Sequence, residues 1–491
     1  MRDNQSRVDV KQLRLQLAAN LRQGVNPYLP GWEYVPDGEP YVYDDRVYVY
    51  GSHDHFGGYE YCQNDYVCWS APTADLGNWR YEGVIYPRDA DPLNPDGDML
   101  LFAPDVTRGA DGRYYLFYVL DKLGVVSVAV SPQPAGPFEF YGHVHYPDGS
   151  LLGETAADEP QFDPGVLFEH GKLYLYTGFC MPDNPRRHGA MVTVLDPDLL
   201  TVAVKPAFVV PSASYADGTG FEGHAFFEAS SIRKINGAYY FVYSSVLSHE
   251  LCYAVSASPL GPFKYMGTLV SNCDLFIDSY KPAARPMYYG GNNHGSLVQV
   301  NDDWYVFYHR HTNGCNFSRQ GCIEKVRILP DGSIPQVSMT SCGPQAEPLR
   351  GEGAYPAYIA CSLYCATEAM TVGKPGDWMD CRFPRITQDQ PDGQEGLSYI
   401  ANMRAGAVAG FRFFDCQGIR RLTVCTRGGK GELLVKTAWD GKALGGVAVG
   451  GNNEWRAFTA GIQIPDGLQS LYFEYQGSGN LSFAAFSLET D

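Results

Sequence analysis

Residues 224–245 read HAFFEASSIRKINGAYYFVYSS. A lone acid, Glu228, precedes two apolar runs joined by Asn236-Gly237. Asn-Gly between such runs is the strongest short-range signal for a β-hairpin. The second run is one of five aromatic runs in the first 340 residues: VYVY (47–50), YYLFY (114–118), LYLY (173–176), YYFVY (239–243) and WYVFY (304–308). Aligned on Tyr48, Tyr115, Tyr174, Tyr240 and Tyr305, they recur at steps of 67, 59, 66 and 65 residues. An internal repeat of short strands predicts an all-β propeller or barrel.

Counting back from each tyrosine finds a polar side chain at nearly one register. Asp37, Asp163 and His294 lie 11 residues ahead, Asp105 lies 10 and Glu228 lies 12. In a propeller those positions, at the starts of the innermost strands, converge on the central channel. Four carboxylates gathered with a histidine need a task or a counter-ion, and clustered titratable groups mark sites. Asp also caps turns, a role that suits Asp105 best of the five. Glu39, two residues after Asp37 and on the same face of an extended strand, competes for its place. The register favours Asp37, since Glu39 is only 9 residues from Tyr48.

The 491 residues exceed one ordinary domain. Residues 1–25 read as an N-terminal extension with one short peripheral helix, 26–340 as the repeat, and 345–491 as a second unit. In that last part short alternating runs such as LTVCTR and LYFEYQG are divided by Gly-rich turns, the pattern of a β-sandwich or jelly roll. Trp378, Trp439 and Trp455 there could stack on sugar rings, though core packing is the commoner use of tryptophan. A net charge of −18 argues against nucleic acid or an anionic membrane surface as partner, and no apolar run reaches 18 residues. The thirteen cysteines include no CxxC pair and read as buried thiols of a reducing compartment. With no apolar h-region in the first 25 residues, a cytoplasmic address is expected.

The first 340 positions resemble glycoside hydrolase family 43, five-bladed propeller enzymes acting on arabinose- and xylose-containing glycans. The resemblance rests on PDGEP around Asp37, FDPGVLF with Asp163, HAFFEASSI with Glu228, NNHGS with His294 and FSRQG with Arg319. It implies Asp37 as general base, Glu228 as general acid and Asp163 as the residue that tunes and orients Glu228. It further implies that His294 holds a central cation, commonly calcium, through water, and that Arg319 grips the terminal sugar. The family usually shows Asp-Pro at the base position, whereas here the proline follows Glu39, so Asp37 and Glu39 both stay in view. The C-terminal part resembles the β-sandwich carbohydrate-binding modules attached to such enzymes.

The chemistry asks for the same residue types. Glycoside hydrolysis needs one carboxylic acid to protonate the leaving oxygen and a second carboxylate to activate water or attack carbon. Asp163, one blade from Glu228, would raise the acid's pKa by like-charge repulsion. A pentose pocket needs an apolar wall, for which Trp69, Phe102 and Phe226 are candidates, with Asp105 and Arg319 as polar contacts. The reading is an inverting exo-glycosidase releasing α-L-arabinofuranose from a small oligosaccharide, or alternatively a β-xylosidase. A catalytically silent sugar-binding propeller would not need base, acid and tuning residue together. A retaining fructosyl enzyme of related five-bladed architecture would bring its two carboxyls to roughly 5 Å.

Overall fold

The computed structural model describes residues 5–155, 157–368, 370, 372 and 382–490; Trp378 lies outside the described residues. Five antiparallel sheets succeed one another along the chain and form the five blades. Blade one is Glu39–Tyr43, Arg46–Tyr50, Tyr66–Pro72 and Arg80–Tyr86; blade two is Leu101–Arg108, Tyr114–Leu120, Val126–Ser131 and Glu139–His143. Blade three is Gly165–Glu169, Lys172–Thr177, Gly189–Leu195 and Val202–Pro211; blade four is Phe226–Ile235, Ala238–Ser245, Glu250–Ser256 and Lys264–Ser271. Blade five has three strands, Leu297–Val300, Asp303–His311 and Arg319–Val326. Of the propeller or barrel that the tyrosine repeat predicts, the chain forms the propeller, with the five blades that the family resemblance implies, and adds a C-terminal sheet.

The aromatic runs form the second strand of each blade, and their alternation packs one blade on the next. Tyr50, Tyr66, Tyr86 and Tyr118 are fully buried in the cluster between blades one and two. A fully buried side chain of this size contributes about 1.5–3 kcal/mol. Blades one and five meet without a shared strand, through a parallel bridge from Gly38 to Gly295. A Cβ on Gly295 would lie 1.8 Å from the carbonyl oxygen of Phe307, so the closure admits only glycine there.

The aligned tyrosines also fix the depth of each side chain along the axis. Tyr48, Tyr115, Tyr174, Tyr240 and Tyr305 pair with Tyr41, Thr107, Leu167, Arg233 and Val298. Asp37, Asp163 and His294 each stand four residues before that partner, and so does Ala103 in blade two. Glu39, Asp105, Gly165, Ser231 and Ser296 stand two residues before it, one layer deeper. Asp105 therefore does not share the layer of Asp37 and Asp163; it belongs with Glu39 below them.

The C-terminal strands form one connected sheet system that doubles over around Phe411, Phe473, Phe483 and Phe486. Its long strand Gly467–Glu489 pairs with both Ala407–Cys416 and Arg421–Lys436. Residues 5–21 are part of this unit rather than a free extension. Gln5–Arg7 adds a strand to Asn452–Gly461, and the helix Val10–Leu21, capped by Asp9, buries Leu17 against Leu397, Tyr399 and Trp455. Trp455 is thus a core residue, and Trp439 lies over Arg285 with 4.7 Å from guanidinium to ring. One hydrophobic cluster runs from Val306 and Tyr308 of blade five to Phe411 and Phe486 of the C-terminal sheet. Buried arginines cross the same junction: Arg310 donates to the carbonyls of Tyr358 and Ala360, and Arg412 to Asp274.

Candidate active site

Where the innermost strands begin, a cavity of about 260 Å³ opens. It is smaller than the roughly 300–1,000 Å³ of pockets for drug-sized ligands and has room for one small sugar. Asp37, Asp163, Glu228, His294 and Arg319 all line it. Local backbone turns these groups into the opening. Asp37 and Asp163 have φ of 56° and 45°, left-handed values that Asp tolerates better than most residues. Glu228 lies between two register shifts in its hairpin and precedes Ala229 at φ 69°. The bulge re-aims the side chain and adds the residue that puts Glu228 twelve, not eleven, before its tyrosine. Such local strain is held at functional sites.

Arg319 dominates the electrostatics. Its Nη1 donates to Asp37 Oδ1 at 2.9 Å, while Nε and Nη2 donate to the two oxygens of buried Asp54 at 2.9 Å each. The Tyr61 ring covers the guanidinium at 4.8 Å. Burial alone would raise the pKa of Asp37, but the charge of Arg319, with help from His309, holds that carboxyl far below the usual range. Asp37 is an obligate anion. Glu228 moves the other way: burial first, then the negative charge of Asp37, push it up to about 8 against the pull of Arg319. Asp163 rises too, through burial and then the charges of Glu228 and Asp37. It accepts from the Ala229 amide at 3.1 Å, which ties it to the acid's own backbone. Both carboxyls are thus held above the usual carboxylate range, which favours a protonated form at neutral pH.

The layer beneath has its own counter-ion. Arg233 Nη2 donates to Glu39 Oε2 at 2.6 Å, and its guanidinium lies 4.4 Å from the centre of the Tyr41 ring. Tyr41 in turn donates to Asp105 Oδ1 at 2.7 Å, and the Val166 amide to Asp105 Oδ2 at 2.7 Å. Asp105 is fully enclosed by these partners and lies outside the cavity, so it cannot touch a substrate. Glu39 is likewise buried below the cavity, and Asp37 is the acid that opens into it.

The apolar wall is an arc of phenylalanines, Phe102, Phe162, Phe179 and Phe227, with successive ring centres 5.7, 5.0 and 5.4 Å apart. Of the three aromatic residues expected there, only Phe102 takes part. Trp69 is buried between blades against Tyr81. Phe226 packs on Phe241 and Tyr243, because consecutive strand residues face opposite ways and its neighbour Phe227 takes the cavity side. Phe162 and Phe227 each stand next to a candidate acid, a signal the sequence did carry. Tyr61, Cys62 and Asp54 lie off the repeat register, and Arg233, though paired with Tyr240 in it, stands where the other blades have Tyr41, Thr107, Leu167 and Val298.

His294 sits among the acids without a short contact: Nδ1 is 3.8 Å from Asp163 and 4.0 Å from Asp37, and Nε2 is 3.9 Å from Glu39 Oε1. Burial lowers its pKa, so the imidazole is neutral. Glu39 Oε1 is buried with no hydrogen-bond partner. One unpartnered carboxylate oxygen and one neutral imidazole nitrogen across a gap fit an ion that keeps most of its own water. A separate cluster, His224, Glu250 and Cys252, lies in blade four outside the cavity. Its Glu250 already accepts from His224, Ser245 and Thr268.

A propeller that gathers an obligate carboxylate and a protonated one over a cavity for a single sugar is built like an enzyme that cleaves glycosidic bonds. Residues 26–334 match the family described as Glycosyl hydrolases family 43, and the chain belongs to that family as a glycoside hydrolase. It is 61% identical over 471 residues to a protein of Thermoclostridium stercorarium named xylosidase/arabinosidase, covering 96% of this chain and 100% of that one. The Bacillus subtilis family 43 arabinoxylan arabinofuranohydrolase, solved with cellotetraose, shares the fold over 96% of this chain and 98% of its own, at TM-score 0.51 and 23% identity. A family 43 β-xylosidase/α-arabinofuranosidase from a compost metagenome covers 64% of this chain and 97% of its own, at TM-score 0.50 and 25% identity. That structure is described as a calcium-free form in complex with xylotriose.

Proposed function

We propose that this glycoside hydrolase removes a terminal pentose, α-L-arabinofuranose first and β-D-xylose as the second reading, from xylan-derived oligosaccharides with inversion. The observation that carries it is the split between two carboxyls in one cavity: Asp37 held ionised by Arg319, and Glu228 raised to about 8. Glu228 protonates the leaving oxygen, and Asp37 takes a proton from the attacking water. Asp163 holds the Ala229 amide and so orients Glu228, while Arg319 has one Nη1 hydrogen left to meet the sugar. The one-sugar volume supports release of a terminal residue rather than cleavage within a chain.

Both sugars remain because the T. stercorarium relative is named for both activities. For the axis we propose a hydrated calcium ion between His294 and Glu39, supported by the unpartnered Oε1 and by the related structure described as calcium-free. Such an ion would supply positive charge beneath the cavity and keep His294 neutral. Initial rates on nitrophenyl α-L-arabinofuranoside and nitrophenyl β-D-xylopyranoside, with proton NMR of the first-formed sugar, test the reading. The account expects turnover of at least one substrate with the opposite anomer released first. Turnover of neither, or release of the retained anomer, contradicts it.

A further inference from the structure

The cavity wall made by Tyr61, Cys62 and Arg319 is held from outside the propeller. Tyr61 and Cys62 lie on the blade-one loop of residues 51–65, and Arg319 follows the blade-five loop of residues 312–318. Both loops touch one hairpin of the C-terminal sheet, the pair Arg385–Gln388 and Ser398–Met403. Asp392, in the connection of that hairpin, accepts from the Phe56 amide at 2.7 Å through Oδ1 and from Asn64 Nδ2 at 2.9 Å through Oδ2. These donors stand on either side of Tyr61 and Cys62. The Asn64 side chain also donates to the carbonyl of Asp54, the acid that grips Arg319. On the second loop, the Asn313 amide donates to the Ile386 carbonyl at 2.7 Å, and Phe317 meets the Tyr61 ring at 5.0 Å.

We infer that Asp392 is a positioning residue for this wall, and that the C-terminal sheet is a working part of the active site rather than an appended module. A carboxylate suits the place because the Phe56 amide and the Asn64 side chain are both donors, and His55 Nε2 also lies 3.8 Å from Oδ2. Asparagine offers a single acceptor oxygen and turns an N–H toward the other donor. Freed at both ends, the loop would let Tyr61 leave the guanidinium and Asp54 shift, and displacements near 1 Å can cost about 10²-fold in rate.

The inference rests on the hydrolase reading for its kinetic arm only. In the full-length chain, Asp392→Ala should lower kcat/KM about tenfold or more, mainly through KM, with Asp392→Asn between it and wild type. Asn64→Ala, cut from the propeller side, should act in the same direction. The second arm needs no substrate: alkylation of Cys62, followed by peptide mass spectrometry, should be at least several-fold faster in both alanine variants. Buried Cys252 and Cys425 serve as unchanged internal controls. If Cys62 is labelled at the wild-type rate in folded Asp392→Ala and Asn64→Ala, the inference is wrong, whatever the wild type hydrolyses. Faster labelling of Cys62 with unchanged kcat and KM would show a clasp that does not position the site, and would also overturn it.

Discussion

The guanidinium of Arg319 holds Asp37 at 2.9 Å through Nη1 and is itself held by Asp54 through Nε and Nη2. The charge of Arg319, with help from His309, keeps Asp37 ionised in a place where burial alone would protonate it. Arg319→Ala should move the acid limb of the kcat/KM profile to higher pH, besides lowering its maximum by about 10² or more. A profile with the acid limb unmoved would mean that Arg319 only grips sugar.

With Glu228 as the proposed general acid, the base limb reports the titration of Glu228. A general acid must be protonated to work, so a pKa raised to about 8 keeps activity below that pH and loses it above. The base limb of kcat/KM should therefore lie near 8. Asp163→Asn leaves in place the burial and the Asp37 charge that raise Glu228, so it should lower the maximum of the profile through the lost Ala229 contact while leaving that limb where it is. A limb shifted downward would show that Asp163 also sets the charge of Glu228.

Phe226 and Phe227 are neighbours with different jobs. Phe227→Ala opens the cavity wall and should raise KM with little effect on Tm. Phe226→Ala leaves a hole against Phe241 and Tyr243 and should cost about 3–5 kcal/mol in stability. Thermal melts of the two variants, set beside their KM values, check the assignment.

Much of this was legible in the chain because a propeller repeats its register. Asp37, Asp163 and His294 sit at one offset from their tyrosines, and Glu228 departs by one because its hairpin carries bulges. Asp105 misled for a related reason: an acid ten residues ahead of its tyrosine lies in the next layer down, where it joins Glu39. The counter-ion was hidden, since Arg233 reaches the axis from a strand position that looks like ordinary surface charge. Asp392 was hidden further still, because a contact between residues 56 and 392 leaves no trace in local pattern.

If a hydrated calcium ion lies between His294 and Glu39, exhaustive chelation should lower Tm, and added calcium should restore it. Bound ligand stabilises only the folded state, so this readout does not depend on turnover. The His294→Ala variant should melt at the same temperature with and without chelator. Wild-type protein indifferent to chelation would assign the gap to water.

The division of labour between Glu228 and Asp37 is tested most directly by leaving-group dependence. Glu228→Ala should lose roughly 10²–10⁴-fold on a substrate with a poor, basic leaving group, and much less on a dinitrophenyl glycoside that needs no proton. Asp37→Ala should lose activity equally on both, and azide should rescue it in preference to Glu228→Ala. A Glu228→Ala defect of the same size on good and poor leaving groups would contradict the account.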